Sequence, residues 1–149
     1  MSQERRRRIQ LRRRHLPFFM RPPALIALIA SSIVGQFLWR FIAARWGLDQ
    51  RIGILAYALG ALLGYMEGRW TSMLWDKYYI DALLRRVKLW DTFLGKLTTL
   101  FAIFALGIPI ALTMFPLRRG VEVGVQSYVF GFVGGMNLGI YLWVRGLPK

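Results

Sequence analysis

Glu67 is the residue best placed to do chemistry: it is a carboxylate that closes the uncharged run Ile52 to Met66. Burial in an apolar medium makes an ionised carboxylate expensive, so such a group is either a proton carrier or one half of an ion pair. Arg69 lies two positions on, and Lys96 and Arg145 fall at the same expected depth. The residues therefore predict an interfacial ion pair of Glu67 with Lys96 or Arg145 in preference to proton carriage. Glu67, Arg69 and Asp76 are also the only cluster on which a lipid-modifying reaction could be built, but they make no recognisable acid–base or metal arrangement.

The remaining chemistry is bounded by absence. The chain has no cysteine, and its single histidine, His15, sits among arginines near the amino end. Thiolate metal sites, iron–sulfur clusters and histidine ligation of haem at bilayer depth are excluded. No glycine-rich phosphate loop, serine elbow or metal-binding histidine pair occurs. The expectation is a protein that is not an enzyme and carries no cofactor or metal.

Glycine spacing is the most regular pattern in the chain. One series is Gly53, Gly60, Gly64 and Gly68, and a second is Gly124, Gly131, Gly135 and Gly139. Both step by 7, 4 and 4, and 53 + 71 = 124 gives an offset of 71 that also carries Tyr57 onto Tyr128. Glycines four apart open a groove on one helix face, through which backbones approach closely in lipid. The groove serves either the packing of the two helices inside one chain or contact with another subunit. The common offset predicts two copies of a helix hairpin.

These residues need helices to hold them, and the composition says of what kind. Of 149 residues, 56% are hydrophobic, yet the formal net charge is +14, a combination reconciled by sorting charge to the ends of apolar runs. The reading is an all-α integral membrane protein with four transmembrane helices arranged as two antiparallel hairpins. The expected spans are about 24–44, 52–71, 97–117 and 123–144. Residues 1–23 form a basic cytoplasmic tail and 24–149 a single four-helix transmembrane domain. Trp39, Arg40 and Phe41 follow the first apolar run where a cleavage site needs small residues, which predicts an uncleaved anchor. Gly47 is a helix stop, Gly107 and Pro109 predict a kink in the third span, and Arg118, Arg119 and Gly120 predict a tight turn.

Between spans two and three, Lys77, Asp81, Arg85, Lys88 and Thr92 recur at steps of three or four opposite an apolar face. That pattern predicts an amphipathic cytoplasmic helical segment. Trp75, Tyr78, Tyr79 and Trp90 are its candidate anchors to lipid or to a partner. The tail residues Arg5, Arg6, Arg7, Arg8, Arg12, Arg13 and Arg14 suit anionic lipid headgroups, whereas a nucleic-acid surface would need interleaved aromatics that are missing. Counting Lys and Arg by side gives 8 + 6 + 2 = 16 with the two ends and the middle segment, against 5 in the opposite loops, which totals the 21 present. Positive charge marks the cytoplasmic side, so both termini are expected there, at the inner membrane.

The function expected from this pattern is that of a non-catalytic accessory or assembly subunit of a larger membrane complex, photosynthetic or respiratory for example, with other membrane subunits and the bilayer as partners. The alternative is a small homo-oligomeric channel or carrier built from duplicated hairpins, which lacks a polar lining. Gln36, Ser31, Ser32, Gln126, Ser127 and Asn137 are the other polar residues within spans, enough for hydrogen bonds between helices but not for a pathway.

Overall fold

The structure is a computed structural model and describes residues 20–48, 50–74, 93–114 and 119–146. Among these residues it is helical throughout, with α1 Pro22–Arg45, α2 Gln50–Leu74, α3 Phe93–Ala102, α4 Ile108–Leu112 and α5 Arg119–Arg145. Pro22–Arg45, Gly95–Leu112 and Val121–Arg145 are long and apolar enough to cross a membrane. The α2 helix is as long as they are, but Arg51, Glu67 and Arg69 interrupt its apolar sequence.

Helix boundaries follow local chemistry. Pro22 and Pro23 lie inside α1 as its first turn, rather than before it as expected, because the first N–H groups of a helix need no intrahelical partner. Gly47 closes α1 at φ 67°, with Gly47 N–H donating to the Ala44 carbonyl and Leu48 N–H to that of Ala43, both at 3.1 Å. This is a Schellman end, and only glycine enters its left-handed position without strain. Arg119 and Gly120 belong to the first turn of α5 instead of the expected tight turn. Glu122 in that turn opposes the positive end of the helix dipole and favours the earlier start.

The described helix of the third apolar run ends at Leu112, and the expected boundary at 117 lies outside the described residues. A π-helical turn, Ile103–Gly107, joins α3 to α4, and Ile108 N–H donates to the Ile103 carbonyl. Pro109 has no N–H to give one turn back, and the widened turn absorbs that loss without breaking the rod.

The largest helix–helix contact is between α2 and α5; α1 packs on α5 and touches α2 little. The first two spans, expected to pack directly on each other as a hairpin, thus meet chiefly through α5. The α1 helix is apolar on all sides, so nothing in its own pattern directs it to α2, and its few polar residues find their partners on α5. Its amino end is held by a cluster of Met20, Leu25 and Ile140.

Beside the buried Leu25, Val123, Phe132 and Ile140, much of the interior is polar or bare, while the exterior is apolar. Buried positions include Ser32, Gln36, Glu67, Ser72, Ser127 and Asn137, while Phe37, Phe41, Leu55, Leu62, Met66 and Phe104 are exposed. In water such a surface would be an aggregation hazard; in hydrocarbon it is the favourable arrangement. No described residue of the rod from Phe93 to Leu112 is buried.

Candidate functional site

The buried face of α2 consists of Gly53, Gly60, Gly64, Glu67, Gly68 and Ser72. Three of these glycines press on the backbone of α5. A Cβ on Gly60 would collide with the Tyr128 carbonyl oxygen, one on Gly64 with that of Phe132, and one on Gly68 with that of Met136. The reverse also holds: a Cβ on Gly131 would strike the Tyr57 carbonyl oxygen, one on Gly135 that of Ala61, and one on Gly139 would lie 2.7 Å from that of Tyr65. Each contact maps onto its counterpart by the offset of 71, since 60 + 71 = 131 and 57 + 71 = 128. Toward the amino ends of both helices, a Cβ on Gly53 would come within 3.1 Å of Ser127 Oγ and 3.2 Å of Val123 Cγ1, and one on Gly124 within 3.4 Å of Ile52 Cγ2.

Partner numbers rise together along both helices, so α2 and α5 run parallel and a local two-fold axis lies between them. The glycines of both series are thus spent on each other within the chain, with backbone carbonyls at van der Waals range where dispersion and Cα–H···O contacts accumulate.

The berth of α1 on α5 is built the same way. Ser32 Oγ donates to the Phe130 carbonyl at 2.5 Å, and Gln36 Nε2 donates to Ser127 Oγ at 3.2 Å. A Cβ on Gly35 would come within 2.6 Å of the Phe130 ring, and one on Gly134 would collide with Ser32 Oγ. The partner numbers fall on α5 as they rise on α1, so these two helices are antiparallel. Gly35 and Gly134 escaped the sequence reading because neither belongs to a spaced series. The other polar residues are used locally: Ser31 Oγ donates to the Ala27 carbonyl, Ser72 Oγ to that of Gly68 and Asn137 Nδ2 to that of Val133.

Glu67 is only 3% exposed and lines a cavity of about 110 Å³ with Trp70, Leu97 and Phe101. Its Oε1 accepts a hydrogen bond from Thr71 Oγ1 at 3.1 Å, one turn along the same helix. Among the described residues it pairs with neither Lys96 nor Arg145, which corrects the expected ion pair. Both cations are exposed, and drawing either into an apolar cavity would strip its hydration for one contact. Among the described residues no group of three acidic or histidine side chains is placed to hold a metal. Trp75, Tyr78, Tyr79, Trp90 and the arginines Arg5, Arg6, Arg7, Arg8, Arg12, Arg13 and Arg14 lie outside the described residues.

Comparison with protein families, with curated proteins and with solved structures finds no match to this chain.

Proposed function

We propose that this chain is a non-catalytic subunit that scaffolds a larger integral membrane complex. It crosses the inner membrane four times with both ends in the cytoplasm. Its glycine-zipper seam gives it a rigid centre, and its outer helices meet lipid and partner subunits.

The seam supports a fourth crossing beside the three apolar helices. Packed parallel along α5, α2 shares the depth of that helix, and its 25 residues at about 1.5 Å each exceed a hydrocarbon core of about 30 Å. Glu67 and Arg69 then lie toward the cytoplasmic end, beside the basic segment that fixes orientation.

The observation that carries the subunit reading is the rod Phe93–Leu112, none of whose described side chains is buried by its own chain. Lipid alone can cover such a rod, but a helix that contributes so little to its own bundle is free to complete another one. Gentle extraction followed by native mass measurement tests this, with a photo-crosslinker at Phe104 on the rod and at Leu55 on α2 as control. The reading expects a hetero-complex and crosslinks from Phe104 to other polypeptides. The local two-fold axis favours a second reading, a repeat-built channel or carrier. An oligomer of identical chains that conducts ions in vesicles would establish that instead.

A further inference from the structure

Because α1 leans on α5 and touches α2 little, the two helices leave a crevice of about 200 Å³ between them. Its walls are Ile33, Gln36, Phe37, Arg40, Ile54 and Tyr57. Gln36 is 8% exposed and spends its amide nitrogen on Ser127, while its Oε1 is buried without a hydrogen-bond partner. An unmet acceptor at this depth is costly, and a small turn of the amide toward the crevice would bring it within reach of a donor there. One helical turn toward the membrane surface, about 6 Å away, Arg40 offers a positive charge and directs one N–H, Nη2, to Gln50 Oε1 at 3.1 Å. A guanidinium has five donors, and among the described residues Gln50 is the side-chain partner seen, which leaves capacity for an anion. Ile33 lies about one turn deeper than Gln36, and with Phe37 and Ile54 it supplies an apolar wall.

We propose that this crevice is a binding site for a lysophospholipid: an anionic phosphate on Arg40, a free glycerol hydroxyl donated to Gln36 Oε1, and one acyl chain over Ile33, Phe37 and Ile54. The spacing selects among lipids. In a diacyl phospholipid both glycerol oxygens below the phosphate are esters, which only accept, and they would leave Gln36 unsatisfied. A lysophospholipid keeps one hydroxyl at that level, and its single chain suits a cleft between two helices. The site rests on the membrane-embedded reading of the chain but not on its role as a subunit, and lies on the side away from the basic tail.

The test is native mass measurement of the purified chain in detergent, titrated with lysophosphatidylglycerol, with diacyl phosphatidylglycerol of the same headgroup, and with lysophosphatidylcholine. The expected result is one lysophosphatidylglycerol per chain, bound at least tenfold more tightly than the diacyl lipid and more tightly than the zwitterionic one. Gln36→Leu should weaken lysophosphatidylglycerol about tenfold and leave the diacyl lipid unchanged, while Arg40→Gln should weaken both anionic lipids. Ile54→Trp fills the cleft from a half-exposed position without touching the Gln36–Ser127 bond, and should abolish the adduct at unchanged thermal stability. Equal binding of the two phosphatidylglycerols, binding indifferent to Gln36→Leu and Ile54→Trp, or no adduct at all would each overturn the proposal. None of these results depends on whether a partner subunit co-purifies.

Discussion

Gly60 and Gly131 are exchanged by the two-fold axis of the seam: the first rests on the carbonyl of Tyr128 and the second on that of Tyr57, which are themselves equivalent positions. Backbone against backbone leaves no side chain to rearrange, so the two halves of the seam should respond alike to the same insult.

Gly64→Ala and Gly135→Ala should each lower stability in detergent by about 1–3 kcal/mol, since the added methyl must displace a carbonyl. The two losses should agree to within about 0.5 kcal/mol, near the error of such comparisons. Gly107→Ala is the control: its Cβ would meet only Ile103 Cγ2 at 3.8 Å, and helix propensity favours alanine by about 1 kcal/mol. Thermal unfolding followed by circular dichroism separates the three. A Gly64→Ala protein as stable as the parent would mean that the seam is looser than described.

Ser32→Ala removes the bond from α1 to the Phe130 carbonyl and should reduce stability by about 0.6 kcal/mol, typical of hydrogen bonds between helices in lipid. Gly134→Ala pushes the same serine away and should do at least as much harm. Because both act on one contact, the double variant should fall well short of the sum. A double-mutant cycle measures the shortfall.

Glu67→Gln keeps the acceptor that Thr71 uses and removes a charge that has no cation beside it among the described residues. The expected change in unfolding midpoint is small and the same at low and high salt. Lys96→Gln and Arg145→Gln should likewise leave Glu67 undisturbed. A loss of stability on neutralising Lys96 or Arg145 that salt reproduces in the parent would restore the ion pair.

The chain has no cysteine, so single-cysteine variants report topology without background. Leu48→Cys and Met114→Cys should be labelled by an impermeant maleimide from one face of intact vesicles. Gly146→Cys and Lys96→Cys should be labelled only after the vesicles are opened. Labelling of Leu48→Cys and Met114→Cys from opposite faces would remove one of the four crossings.

The glycine series could be read from sequence because a bare face needs the same residue type at fixed steps, and the kink could be read because Pro109 lacks a donor wherever it stands. Other features left no such mark. The α1 helix is apolar all round, so its choice of α5 over α2 is visible only in where Ser32 and Gln36 find partners. Thr71 carries no charge to mark it as the partner of Glu67, although a hydroxyl one turn away satisfies a buried carboxyl at less desolvation. Gly35 and Gly134 serve a crossing between unlike helices, where no spacing rule operates. The form of the bend, a π turn instead of a break, depends on how the flanking residues settle and was not encoded in the presence of proline.

The seam has a thermodynamic consequence. Where α2 meets α5, helix separation in a bilayer would expose carbonyls and glycine Cα atoms to acyl chains and would bring no water onto apolar surface. The heat-capacity increment that bends the stability curve of water-soluble domains comes from that wetting. Parting these two helices should therefore show a nearly straight dependence of free energy on temperature, with the contact holding as firmly in the cold as at physiological warmth.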